Sequence, residues 1–253
     1  VAFGSLCFTA GFFLHLVDRI PNRWQDYAWL AVSSFFLLSL KYYWAAVLFP
    51  AMLTSLLISF LPGHNKWKPV VLVSSWLLLF CFLCGTVSLL HPNFYLGNFL
   101  EVIKLNHDAF VGLSQHSLYI RYHNLEASWM SLAINAPWAL VSGLFRPFLF
   151  EVQNVPQIFS GVENLFLMVL FLFQMSRIKV PRREHRLLFM ACVGYILIVC
   201  IFLSLSTPNF GTLSRYRIGF LPFFALLLML NTPSFRGKSF RKIISQLRPS
   251  QRP

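Results

Sequence analysis

Charge is scarce in this chain, and acid is scarcer: only 11% of its 253 residues are charged, with eight Asp and Glu against 21 Lys and Arg. A soluble domain carries about a quarter charged residues, so an ordinary water-facing surface is excluded and one that faces lipid is expected. Segments of about ten residues with alternating hydrophobicity are missing as well, which excludes a transmembrane β-barrel. No Walker A loop, G-x-G-x-x-G, G-x-S-x-G or H-E-x-x-H occurs, so no phosphate-cradling loop, nucleophile elbow or zinc-protease helix is in sight. Internal repeats and low-complexity tracts are absent too. The five cysteines (Cys7, Cys81, Cys84, Cys192 and Cys200) all fall inside apolar runs. Cys81-Phe-Leu-Cys84 has C-x-x-C spacing but reads as two small packing residues of a helix, and neither a disulfide framework nor a zinc ribbon is supported. The chain opens VAFGSLCF, without methionine or a basic n-region, so it is expected to be the C-terminal part of a longer protein.

What is present is a series of apolar runs, several reaching the roughly 20 residues that cross a hydrocarbon core. The expected fold is all-α: a polytopic transmembrane bundle of about seven spans with one large extracytoplasmic loop holding interfacial or re-entrant helices. Residues 1–90 should carry about four spans, 91–158 the loop, 159–231 three more spans, and 232–253 a basic cytoplasmic tail. The run Ala28–Phe60 is too long for one crossing, and Lys41-Tyr42-Tyr43-Trp44 reads as an interface belt, so a hairpin is placed near Lys41. Pro50 should kink its second arm. Further spans are expected at Val1–Val17, Val70–Leu90, Phe159–Met175, Leu187–Leu205 and Ile218–Leu230, with Phe99–Leu113 lying along the interface.

The net charge of +13 could suggest nucleic acid, but its distribution argues otherwise. Arg19, Arg23, Lys66, Lys68, the cluster Arg177, Lys179, Arg182, Arg183 and Arg186, and six tail residues fall on one side of the expected topology, 15 of the 21. That side belongs in the cytoplasm, which makes the charge topogenic and attractive to lipid headgroups. No aromatic-basic module for nucleic acid accompanies it.

Trp129–Asn164 is neither a clean span nor a plain loop, with Pro137, Pro147 and Pro156, Arg146, Glu151 and Glu163. Pro147 should break any helix there, leaving Arg146 either to neutralise a ligand phosphate or to pair with Glu151 or Glu163. Glu163 opens a span on the outer side, where it complements the helix dipole or, if deeper, serves as a base or coupling group. Arg215 and Arg217 join the last two spans on the outer side, where positive charge is disfavoured. Planar guanidinium forks suit a pyrophosphate or lipid phosphate; the plainer alternative is snorkelling to headgroups. His91, His107, His116 and His123 show no ligand spacing for zinc, so no metal and no cofactor is expected. His107, Asp108 or His123 could act as general base, or be ordinary loop residues.

Two stretches, LFRPFLFEVQN followed by GVENL, and TPNFGTLSRYRIGFLPFF, resemble segments of bacterial multi-pass proteins of surface-polysaccharide assembly. The wider likeness, over about the last half of the chain, is to GT-C glycosyltransferases and O-antigen ligase or polymerase proteins. The resemblance implies a bacterial inner-membrane protein acting on a polyprenyl-phosphate-linked glycan at the outer face. Arg215, Arg217 and Arg146 would hold the anionic carrier, and Glu151, Glu163 and His123 would be the candidate acid or base. The alternatives are a non-enzymatic transporter or flippase, or a structural membrane subunit.

Overall fold

The computed structural model describes residues 1–17, 24–89, 91–95, 97–114, 119–175 and 186–230. Among these the chain is helical, with no strand and a single isolated antiparallel bridge between Tyr119 and Asn209. The helices are α1 (Ala2–Val17), α2 (Trp24–Phe60), α3 (Pro69–Val87), α4 (Phe99–Gly112), α5 (Trp129–Phe145), α6 (Val155–Met175), α7 (Arg186–Ser206), α8 (Phe210–Tyr216) and α9 (Leu221–Leu230). Four stretches are long and apolar enough to cross a membrane: Trp24–Phe60, Pro69–Val87, Gln157–Met175 and Arg186–Ser206. Arg19, Arg23, His116, Arg177, Lys179, Arg182, Arg183 and the tail lie outside the described residues, so the orientation expected from them rests on sequence.

Near Lys41, where a hairpin is expected, the chain has a kink. Two helices abut at this residue, whose φ of −146° and ψ of 62° are non-helical, whereas Pro50 is accommodated with helical dihedrals. Directly after the break, Tyr42 stacks on His91 at 4.4 Å and accepts a hydrogen bond from Asn93 Nδ2 at 2.8 Å. Further along, Trp76 Nε1 of α3 donates to Ser55 Oγ at 2.9 Å, and that hydroxyl donates to Leu187 O at 3.0 Å. Residues 42–60 therefore run alongside α3 over its full length, and Lys41 sits at the level of the α3 C-terminus. The first arm of α2 pairs instead with α1, through Thr9 Oγ1 donating to Ser33 Oγ at 3.1 Å above buried Leu6 and Leu37.

α7 is the axis. It packs against α2, α4, α5 and α9, and buries Ala191, Tyr195, Ile196, Val199, Cys200 and Leu203. Small residues let large ones approach. At Gly194 an added Cβ would lie 2.8 Å from the Trp76 indole, and at Gly143 of α5 it would overlap the Ser204 hydroxyl and the Cys200 sulfur. Close backbone approach of this kind is how helices pack where lipid removes the hydrophobic driving force between them.

Within 91–158, expected as a loop holding interfacial or re-entrant helices, α5 packs against the other helices: Phe145, at its C-terminus, touches the rings of Phe171 in α6 and Phe224 in α9. The last helix, expected from Ile218, begins at Leu221, because Arg217–Gly219 forms a 3-10 turn that brings Gly219 under Trp44.

The carbonyls that α7 leaves open at its C-terminus are filled from outside the bundle. His107 of α4 binds Leu205 O at 3.0 Å, Tyr122 OH donates to Ser204 O at 2.8 Å, and Thr207 Oγ1 donates to Leu203 O at 2.6 Å. Since a carbonyl only accepts, His107 carries its proton on Nδ1. Burial lowers the His107 pKa below 6.5, against the opposing pull of the Leu205 carbonyl and Asp108.

Two outcomes follow. Gly143→Ala should lower the thermal midpoint in detergent through overpacking of about 1–3 kcal/mol. For His107 the folded pKa lies below the unfolded one, so its contribution is complete above 6.5 and declines as pH falls below that value. Hydrogen exchange in α4, corrected for intrinsic rates, should accelerate below pH 6.5. His107→Gln, which can still donate but does not titrate, should remove that dependence.

Candidate functional site

The site is built on the end of α5. Proline disfavours helical backbone at the residue before it, and Arg146, preceding Pro147, takes φ −95° and ψ 152°. The helix stops there, which leaves carbonyls at a chain end packed between α6, α7 and α9. Arg217 supplies two donors: its guanidinium binds Leu144 O at 2.6 Å and Arg146 O at 3.1 Å. Asn164 of α6 supplies the next, from Nδ2 to Pro147 O at 3.1 Å. Arg217 is only 2% exposed and Asn164 only 1%. Irregular backbone inside a bundle persists only where protein groups satisfy it, and these two side chains do so.

Arg146 turns the other way. Its guanidinium grips the Glu151 carboxylate in two places, with Nε to Oε2 at 3.0 Å and NH2 against Oε1. Glu151 Oε2 also accepts the Phe148 N–H at 2.9 Å, which ties the pair to the returning chain. The rings of Trp138 and Phe210 flank the Arg146 guanidinium at 5.4 and 5.0 Å, and both charged side chains are mostly covered, at 12% and 17% exposed. Of the alternatives open to Arg146, the structure holds the ion pair with Glu151.

A short segment roofs this arrangement. Ile120 N donates to Pro208 O at 2.9 Å, Trp138 Nε1 donates to Arg121 O at 3.2 Å, and buried Asn135 binds both N–H and C=O of His123 at 2.9 Å. Burial pushes the Tyr122 phenol pKa up, so it remains a neutral donor to α7.

The six residues singled out in the sequence thus divide into two sets. Arg146, Glu151 and Arg217 converge on the broken end of α5 and are occupied there. Arg215, Glu163 and His123 are exposed. Arg215 and Arg217 do not act as a pair on one surface, since one faces outward and the other is spent on backbone carbonyls. Glu163 lies within electrostatic reach of Arg217. Among the described residues no three His, Cys, Asp or Glu converge as metal ligands. Asn164 and Asn135 were passed over in the sequence. Each is an amide inside an otherwise apolar helix, and that is the signal which could have marked them.

Three buried polar atoms here have no hydrogen-bond partner among the described residues: Arg217 Nε, Asn164 Oδ1 and Ser142 Oγ. The arrangement therefore retains one donor, one acceptor and one hydroxyl beside the broken backbone. Because Glu151 already neutralises Arg146, an anion arriving there would compete with that carboxylate.

No family model, curated protein or solved structure matches the chain.

Arg217→Met should leave the Leu144 and Arg146 carbonyls unpaired and cost about 1–3 kcal/mol for each. Arg217→Lys should recover only part, because an ammonium is a point charge and not a fork. Thermal unfolding in detergent checks both, with Arg215→Ala expected to match the wild type.

Proposed function

We infer that this is an integral membrane protein of cell-surface polysaccharide or lipid-linked glycan assembly, placed in a bacterial inner membrane with its C-terminus in the cytoplasm. The membrane part is supported by the four long apolar stretches and by large apolar side chains exposed along them, such as Phe35, Leu78, Phe82 and Phe166. The glycan part rests on the two stretches that resemble polysaccharide-assembly proteins, the first of which passes through the broken end of α5 and the second through the α8 turn.

The observation that carries the reading to a residue is Arg215. It is exposed, it has no hydrogen-bond or ion-pair partner among the described residues, and it stands in the last turn of α8. A free guanidinium there suits the phosphate of a polyprenyl-linked glycan. Arg217 and the Arg146–Glu151 pair hold the backbone that positions it. Glu163 and His123, both exposed, remain the accessible candidates for acid or base; Glu151 is engaged by three N–H groups.

A second reading, a structural membrane subunit, is favoured by the same locking. Three of the six candidate residues are engaged in holding the fold, which is what a scaffold requires.

Cells carrying full-length protein with Arg215→Ala should lose surface polymer and accumulate lipid-linked precursor, at unchanged protein abundance. Loss of one charged contact of about 1.5–3 kcal/mol corresponds to roughly 10- to 100-fold weaker carrier binding. An unchanged glycan profile would overturn the assignment and leave the subunit reading.

A further inference from the structure

The kink at Lys41 meets the turn that carries Arg215. Gly219 of that turn lies under Trp44, so closely that an added Cβ would overlap the indole. Tyr195 OH of α7 holds the Gly219 carbonyl at 2.9 Å. On the other side, Tyr42 is fixed by its stack on His91 and by the bond from Asn93. Packing thus sets the short segment between these anchors in place. Tyr43 meets the Tyr216 ring at 6.3 Å. The Lys41 ammonium lies over both rings, 4.5 Å from Tyr216 and 5.5 Å from Tyr43. The negative faces of aromatic rings hold a cation in this way.

Tyr216 follows Arg215 directly, so this contact gathers two cations that stand far apart in the sequence. Lys41 is partly exposed and Arg215 is exposed. Neither has an acidic partner among the described residues, whose ion pairs are Lys104–Asp108 and Arg146–Glu151. Glu163 acts on Arg217, which is already bound to backbone carbonyls. A lysine that only snorkelled would extend its amine into water, where like charges spread apart. Here two rings turn it toward the segment that bears Arg215. The hydroxyl of Tyr43 is buried and has no hydrogen-bond partner among the described residues, which leaves one more donor on this side.

Positive charges gathered without an acid favour an anion that carries more than one negative charge. An ordinary phospholipid offers a phosphodiester with a single charge, whereas a lipid that ends in a phosphate or diphosphate offers more. We propose that Lys41 is the second cation of a phosphate site at Arg215, and that the pair selects such a lipid over the phosphodiesters of the surrounding bilayer. This rests on the reading of Arg215 as a phosphate-holding group and adds to it the residue that sets selectivity.

The test titrates the full-length protein, purified in a neutral detergent, with farnesyl diphosphate, dioctanoyl phosphatidylglycerol and inorganic pyrophosphate. The wild type should bind farnesyl diphosphate roughly tenfold tighter than phosphatidylglycerol, the difference that one added charged contact makes. Lys41→Gln should erase that preference, Lys41→Arg should keep it, and Arg215→Ala should weaken binding of both lipids. In the wild type, where no variant has to fold, the preference should fall as salt is raised. A preference that survives Lys41→Gln, or that ignores salt, would overturn the role of Lys41 and leave Arg215 in place. Affinities unchanged by Arg215→Ala would remove the ground under both. Inorganic pyrophosphate bound as tightly as farnesyl diphosphate would rule out a lipid as the source of the phosphate.

Discussion

A helix that ends inside a bundle leaves carbonyl oxygens where no water reaches, and most of what is distinctive in this protein follows from how that is met at α5. Two N–H groups of Arg217 and one of Asn164 take the carbonyls of Leu144, Arg146 and Pro147. The donors come from different parts of the chain, the turn before α9 and the tenth residue of α6. Forming these bonds therefore fixes α5, α6 and α9 relative to one another. An arginine suits this place because its planar fork reaches two carbonyls from one side chain, and its positive charge complements the C-terminal end of a helix dipole.

The same solution recurs at the C-terminus of α7. There His107, Tyr122 and Thr207 take the carbonyls of Leu205, Ser204 and Leu203. In both places polar side chains from other parts of the chain close an open helix end: a turn and α6 at α5, and α4, the segment holding Tyr122 and the residue just after the helix at α7. The approach depends on small residues. Gly143 against Ser204 and Cys200 sets the distance between α5 and α7, and hence whether the Leu144 carbonyl meets Arg217 at all.

This division of labour bears on function. Charged residues in a membrane bundle are read first as sites, and here three of them, Arg146, Glu151 and Arg217, are bound internally. The charge left outward-facing among the candidates, Arg215 at the α8 turn and Glu163 on α6, is of opposite sign and in two settings: one at a helix end, one on an apolar helix face. The glycan reading draws on the first for the carrier and on the second as a candidate acid or base.

Composition and run length alone determined that the chain is helical and apolar, because a low charge content and runs of about 20 residues constrain any fold in the same way. The stop before Pro147 was also legible, since it arises from local chemistry: a proline forbids the helix behind it. At Lys41 the lysine among aromatics marked where regular helix is interrupted, but the form of the interruption, a kink and not the expected hairpin, was not legible. Tertiary structure alone decided what each arginine does. Arg215 and Arg217 are two residues apart and chemically identical, and in sequence they read as a pair. Only the arrival of α5 beneath the turn, carrying carbonyls with no other donor, separates the one that is consumed from the one that is free. That arrival depends on the fit of Gly143 against α7, a contact between residues 57 and 61 positions apart that no local pattern encodes.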